Sequence, residues 1–338
     1  MKGVSLRELT TFNIGGMAEY FATAKTEDEL VEYVTFAKDQ SLPLTIIGGG
    51  SNIVVADEGV KGLVLKNNIE GLEYREEEEK IFVTAGAGMN FDDLVATTVG
   101  KGWWGLENLS AIPGSVGATP IQNIGAYGVE VADTISSVKV FDVTNSTFKE
   151  LSKDECVFGY RDSIFKTPTG KNLIVVSVTY CLSLTPLPTL HYKDLATHFQ
   201  DRENTKSITQ EEIRNVVMEI RAGKFPDWKV LGTAGSFFKN PIINKEDYER
   251  LQSEYPGLPG YPEKDQKIKV SLGWILDHVC NLRGYREGNV GLYEKQALVM
   301  VNYKDATAGE VKNFAEKISQ TVFEKTKIKI EREVNYVK

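Results

Sequence analysis

Three glycine-rich stretches carry the first chemical signal in this chain. Gly48-Gly49-Gly50-Ser51-Asn52 lies between two β-branched apolar runs, and Gly86-Ala87-Gly88 comes shortly before Asn90. Residues 112–128 read Ile-Pro-Gly-Ser-Val-Gly-Ala-Thr-Pro-Ile-Gln-Asn-Ile-Gly-Ala-Tyr-Gly, with no helical or strand period. Successive backbone N–H groups in glycine turns form nests that hold phosphate oxygens without Lys or Arg. Taken alone, Gly48 to Gly50 reads first as a tight turn. A stretch as long and irregular as 112–128 is uncommon inside a compact domain unless it is functional. The combination reads as a nucleotide or flavin cradle. It is not a dinucleotide-binding GxGxxG, which occurs nowhere, nor a P-loop, because Asn172 follows Gly170-Lys171 and Phe225 follows Gly223-Lys224.

Polar residues elsewhere could act beside such a cradle. In Phe158-Gly159-Tyr160-Arg161-Asp162-Ser163, Arg161 suits a bidentate clamp on a carboxylate or diphosphate, with Asp162 placed to orient it. An Arg–Asp surface pair is the equal alternative. Ser236, in Ala234-Gly235-Ser236-Phe237-Phe238-Lys239-Asn240-Pro241, is a turn residue on a plain reading. Held in a dry pocket, its hydroxyl can donate a proton to a stronger base forming beside it. It does not sit in a GxSxG elbow, since Phe238 replaces the second glycine. Glu333 reads on its own as a solvated carboxylate. The three histidines, His191, His198 and His278, have no metal-ligand spacing, and Cys156, Cys181 and Cys280 include no CxxC pair. The sequence therefore offers no metal site, and its sparse cysteines suit a reducing compartment.

The elements that would position these residues follow from local patterns. Thr26-Glu27-Asp28-Glu29 is a capping-box pattern opening a helix that Pro43 ends, with strands at 44–47 and 53–55. The acidic run 75–80 reads as a solvated hairpin tip between strands at 62–65 and 81–84. Asn90 is the expected N-cap of a helix over 91–99, and strands are expected at 137–143 and 173–182. Thr185-Pro186-Leu187-Pro188 is the best linker, with helices beyond it at 210–222 and 273–280. Thr307-Ala308-Gly309-Glu310 opens an amphipathic helix through Val322. Ile328, Ile330 and Val334 alternate as a terminal strand with Glu331 and Glu333 on its other face.

With 338 residues, 41% of them hydrophobic, the chain has room for two or three domains of ~150 residues. Its 47 acidic against 39 basic residues, a net charge of -8, argue against nucleic acid as a partner. No apolar run approaches the ~20 residues of a membrane span, and no N-terminal signal region is visible.

The same stretches resemble the UDP-N-acetylenolpyruvoylglucosamine reductase family. The resemblance runs from Thr10-Thr11-Phe12-Asn13-Ile14-Gly15-Gly16 through residues 48–52, Gly105-Leu106-Glu107, 112–128, 158–165 and 234–241 to Gln296-Ala297-Leu298-Val299 and Glu331-Arg332-Glu333-Val334, in the family's order. It implies an α+β chain with a vanillyl-alcohol-oxidase (PCMH) type FAD-binding domain of two α/β subdomains and a C-terminal α+β substrate domain. The implied boundaries are 1–60, to which 328–338 returns, then 61–222 and 223–327. FAD would be bound non-covalently, since no histidine precedes residue 191 to tether it. Its contacts would be Gly48, Gly49, Gly50, Ser51, Asn52, Pro113, Gly114, Ser115, Gly117, Gln122, Asn123, Gly125, Tyr127 and Gly128. The implied reaction moves a hydride from NADPH by way of FAD to C3 of the enolpyruvyl ether of UDP-N-acetylglucosamine, and a proton to C2. That makes UDP-N-acetylmuramate for peptidoglycan. Ser236 would give the proton, while Arg161 and Glu333 steady the carboxylate and the charge arriving at C2. Tyr192, Lys224, Asn240 and Gln296 would touch substrate, as would Tyr261 in a mobile covering loop typical of the longer subtype. A cytoplasmic monomer without nucleic-acid or membrane partners is the remaining expectation. Tyr293 departs from the family, many of whose members carry His there.

Overall fold

A computed structural model describes residues 1–338 apart from the side chain of Lys206. The chain divides into two compact units, each assembled from separated segments. The first comprises Met1–Gly3, Glu19–Gly49 and Lys61–Arg221, and the second Val4–Ala18, Gly50–Val60 and Ala222–Lys338. Helix and strand mix throughout, giving the α+β class that the sequence implies.

Two larger sheets build most of the first unit. One has the order Lys2–Ser5, Met17–Ala24, Val60–Asn67, Leu44–Ile47, its last two strands parallel. The helix Glu27–Asp39 lays Leu30, Val34 and Ala37 onto Leu63 and Leu65 of this sheet. Thr26 caps it by accepting from the Glu29 N–H, and Glu29 in turn accepts from Lys25 rather than from Thr26. The second sheet is antiparallel, ordered Thr147–Ser152, Ile135–Asp142, Leu173–Ser183, Lys80–Gly86, Leu72–Glu77. Here the acidic run departs from expectation. Its first residues belong to the edge strand Leu72–Glu77, which pairs Glu77 with Lys80, so only Glu78 and Glu79 form the tip. Residues 62–65 pair instead in the first sheet. An edge strand with almost no buried face carries no alternating apolar signal, and charge is how such edges avoid pairing with other chains.

The helix Phe91–Gly100 starts where Asn90 Oδ1 accepts from the N–H groups of Asp92 and Asp93. It packs Phe91, Leu94 and Val95 against Ile81, Val83 and Val178. The stretch 112–128 resolves into short pieces: a 3-10 turn Val116–Ala118, one helical turn Thr119–Gln122 closed by Asn123 at φ 40°, and a two-residue strand Gly125–Ala126.

In the second unit a sheet of Gly232–Ser236, Gln296–Asn302, Val290–Tyr293 and Arg286–Glu287 packs on the helix Ala308–Thr326. That helix has the full capping box between Thr307 and Glu310. Phe12, Ile14 and Val54, from the N-terminal segments of this unit, are buried in the same core. Two details differ from the sequence reading. Residues 273–280 form a short helix Leu272–Trp274 running into a π-helical turn Ile275–Val279. Residues 328–334 alternate in burial, but they make only a single bridge, between Arg332 and Phe238. The regular terminal strand is Asn335–Val337, parallel to Ile53–Val55.

Candidate active site

Glycine lets three loops of the first unit meet along one cleft of about 460 Å³, a size suited to a small-molecule ligand. Its walls are Gly48 and Gly49, residues 66–68, 70–72, 88–90, Asp93, Gly114 and Ser115. The loops touch backbone to backbone. A Cβ on Gly49 would lie 2.9 Å from Gly114 Cα, and one on Gly48 would lie 2.3 Å from Ser115 Oγ. Gly88 is as tight, 2.3 Å from Asn68 Cα. Lys66, Asn67, Asn68 and Asn90 add polar groups from the sheet and helix rims. Gly117 does not line the cleft; its amide donates to Ala87 and its missing side chain makes room for the Ala87 methyl.

The rest of the glycine-rich stretch is bound to the loop that carries Arg161. Asn123 Nδ2 donates to the Gly159 carbonyl at 2.9 Å, and Ser163 Oγ donates to the Ile121 carbonyl at 2.9 Å. The Arg161 guanidinium donates to the carbonyls of Gly125 at 2.6 Å and Asn123 at 3.4 Å. Backbone carbonyls of the glycine-rich stretch thus aim this side chain, while Asp162 accepts from the Ser163 N–H. Gln122 Oε1 accepts from Lys166. Farther along, Tyr127 is buried edge-on against Tyr192, with ring centroids 5.2 Å apart, and Gly128 lies against His191. Burial pushes the Tyr127 phenol above its ordinary range, although the hydrogen-bonded Arg221 guanidinium pulls the other way. Arg221 also donates to the Ala111 carbonyl, and Asp92 accepts from both Ala111 and Arg214.

In the second unit Ser236 ends a strand whose register against Gln296–Asn302 shifts between Thr233 and Ser236. Gly235 makes the shift. At φ 77° it adopts a conformation that L residues avoid, and Thr233 Oγ1 accepts its N–H. Phe237 and Phe238, both fully buried, anchor the chain beyond Ser236. The segment 331–333 then runs alongside: the Glu333 N–H donates to Phe237 O at 2.9 Å, and the Lys239 N–H donates to Glu331 O at 2.9 Å. Ser236 and half-buried Glu333 are therefore brought to adjoining backbone, beside Asn52, whose amide donates to the Glu333 carbonyl. Gly50 packs its α-carbon against the Leu9 carbonyl in the same unit. Asn240 Oδ1 accepts from the Leu272 N–H, and Gln296 Oε1 from the Leu298 N–H. Lys224 closes the helix Gln210–Lys224. Tyr261 differs from the expected loop: it lies on the edge strand Gly260–Pro262, paired with Lys269 and 53% exposed.

Residues 18–152 match the model of an FAD binding domain, and 226–337 match that of the UDP-N-acetylenolpyruvoylglucosamine reductase C-terminal domain. The reductase of Neisseria gonorrhoeae is 38% identical over 333 residues, 98% of this chain and 96% of that one. The chain belongs to the UDP-N-acetylenolpyruvoylglucosamine reductase family. The Pseudomonas putida member is 37% identical across 98% of this chain and 97% of its own. The crystal structure of the Thermus caldophilus enzyme superposes with a TM-score of 0.70 at 26% identity, covering 100% of this chain and 98% of that one. Membership in this reductase family makes the chain an FAD-dependent oxidoreductase with an FAD-binding domain. The glycine-walled cleft fits that cofactor, because glycine at 48, 49 and 88 lets its loops approach closely and lines it with backbone and polar side chains. Among the described residues no group of three His, Cys, Asp or Glu could hold a metal, and no helix is long and apolar enough to cross a membrane. Sequence reasoning missed the walls at 66–72, at and beyond the end of the strand Val60–Asn67, and the Asp92, Arg214 and Arg221 cluster, whose members are far apart in the chain.

Proposed function

We propose that this chain reduces the enolpyruvyl ether of UDP-N-acetylglucosamine to UDP-N-acetylmuramate with NADPH, in the peptidoglycan precursor route of the cytoplasm, as a monomer. The observation that supports the catalytic half of this reading is the backbone hydrogen bond from the Glu333 N–H to the Phe237 carbonyl, which runs the backbone at Glu333 alongside that next to Ser236. Three free thiols suit the reducing compartment.

When bound, FAD supplies the redox chemistry, a hydride from NADPH to C3 of the enolpyruvyl group. Gly48, Gly49, Gly114 and Ser115 would hold it in the cleft, with Gly50, Ser51, Asn52, Pro113, Gln122, Asn123, Gly125, Tyr127 and Gly128 as its further proposed contacts. Negative charge then arrives at C2 and spreads to the carboxylate, and only groups that stabilise it more than the ground state accelerate the step. Arg161 does so without being able to lose its own proton. Ser236 delivers a proton to C2, and Glu333 steadies the same centre through hydrogen bonding. Tyr192, Lys224, Asn240, Tyr261 and Gln296 bind the nucleotide sugar. The net charge of -8 means that the substrate's phosphates are met locally rather than by a basic surface.

The test is direct. The purified protein should show flavin absorption and oxidise NADPH only when the enolpyruvyl nucleotide is present. Absence of flavin, or oxidation indifferent to that substrate, would overturn the proposal.

A further inference from the structure

We infer that Lys166 is a positioning residue for Arg161. This rests on the proposed role of Arg161 and adds the group that aims it. Arg161 has φ 53°, a left-handed backbone that an L residue with a long side chain avoids. The turn whose ends Gly159 and Asp162 exchange backbone hydrogen bonds imposes that φ, and a side chain fixes the peptide within it. Lys166, at the end of the 3-10 turn Ile164–Lys166, donates from Nζ to the Arg161 carbonyl at 2.5 Å and to Gln122 Oε1 at 2.6 Å. One ammonium thus ties the strained peptide to the residue before Asn123. Asn123 is itself left-handed at φ 40°, and its carbonyl, like that of Gly125, accepts from the Arg161 guanidinium. The two ends of Arg161, its peptide and its guanidinium, are both braced against residues 122–125. If the ammonium is removed, the Gly159–Asp162 turn persists but the Arg161 peptide loses this brace and rotates within it. That rotation swings the side chain away from the carbonyls that aim it. A charge-assisted bond to a carbonyl is among the stronger single braces a side chain offers.

A misplacement of this kind costs on the order of 10²-fold in a step that depends on alignment. Lys166→Met should therefore keep its flavin and its reduction by NADPH within about twofold of wild type, while the transfer to the enolpyruvyl nucleotide slows by about 10²-fold. Equilibrium binding gives a second readout. The variant should bind the enolpyruvyl nucleotide about tenfold more weakly, yet bind UDP-N-acetylglucosamine, which lacks the carboxylate, unchanged. Lys166→Arg should recover most of the loss, and Arg161→Gln/Lys166→Met should be no slower than Arg161→Gln alone, because both act through one guanidinium. Losses that multiply, or equal weakening towards both nucleotides, would overturn the inference. So would loss of flavin in Lys166→Met and Lys166→Gln alike, which would assign Lys166 to the scaffold. If Arg161→Gln is crippled and Lys166→Met is not, Lys166 alone is refuted. If Arg161→Gln is itself harmless, the role of Arg161 falls and the inference with it.

Discussion

Replacing Gly88 by alanine tests the cleft by steric means alone. Gly88 lies between the strand Lys80–Gly86 and the helix Phe91–Gly100, on the cleft wall. An added Cβ would stand 2.3 Å from Asn68 Cα, 2.4 Å from its carbonyl carbon and 2.6 Å from Ile69 N. Ordinary contact begins near 3.4 Å, so the backbone at 68–69 would have to retreat by about 1 Å. It is not free to do so. Asn68 N–H donates to Ala24 O, Gly88 N–H donates to Ile69 O, and the Ile69 N–H donates to Asn67, whose amide is tied to Val175 O. Overpacking of this kind costs ~1–3 kcal/mol, and one broken backbone bond adds ~1 kcal/mol. At roughly 2–4 °C per kcal/mol for a domain of this size, Gly88→Ala should lower Tm by roughly 5–15 °C. Distortion of the wall should also release flavin, so purified Gly88→Ala should lack absorption near the visible flavin bands and gain little Tm from added FAD. The control is Gly100→Ala, at the end of the adjoining helix, where a Cβ meets nothing within 4 Å. It should be neutral or slightly stabilising, by ~0–1 kcal/mol. Full flavin occupancy in Gly88→Ala with an unchanged melting curve would refute the packing argument, as would equal damage from Gly100→Ala.

Further outcomes follow from other sites. Ser236→Ala should leave flavin reduction by NADPH intact in stopped-flow measurements while slowing transfer to substrate by ~10²–10⁴; equal loss in both half-reactions would remove Ser236 as the acid. Asp142 is held down to about 2, first by the Lys149 ammonium and then by Asn145. Because its folded value lies below the ordinary 3.8, its contribution is complete above that pH and lost as pH falls towards 2. Asp142→Asn should thus lower Tm at neutral pH and flatten the acid limb of a Tm-versus-pH curve between 4 and 2; an unchanged acid limb would count against it. Gly223→Ala, in the helix Gln210–Lys224 with open space around its α-carbon, should raise stability by up to ~1 kcal/mol in denaturant titration.

The parts of this molecule legible in its sequence are those fixed by near neighbours. The caps at Thr26, Asn90 and Thr307 are four-residue arrangements, and each starts its helix where the residue types place it. Pairing between strands is different in kind. Residues 62–65 and Leu72–Glu77 both precede Lys80–Gly86, and nothing in the strongly charged second stretch advertises it as the partner. Alternation at 328–334 correctly separates buried Ile328 and Val334 from exposed Lys329 and Glu331, yet burial alone does not make a ladder. The candidate site shows the same division. Gly48, Gly49, Gly114 and Ser115 stand out by composition, but Lys66 and Asn67 join them only because a parallel strand ends there. Likewise the adjacency of Ser236 and Glu333 depends on a bulge at Gly235 and a bridge at Phe238, which are properties of the folded backbone.

The discontinuous make-up of the second unit bears on how the chain is made. Phe12, Ile14 and Val54 belong to a core whose other members lie beyond Ala222, and Ile53–Val55 pairs with Asn335–Val337. A ribosome adding about 5–20 residues per second delivers the two sides of that core many seconds apart. In the interval Phe12, Ile14 and the strand Ile53–Val55 lack most of the core they join, while most of the first unit can already fold. Vectorial synthesis thus favours one order of events, and an engineered break near residue 222 would not yield a free-standing C-terminal half. It would yield a fragment whose core lacks the side chains that the N-terminal segments supply, rescued only when residues 4–18 and 50–60 are present in trans.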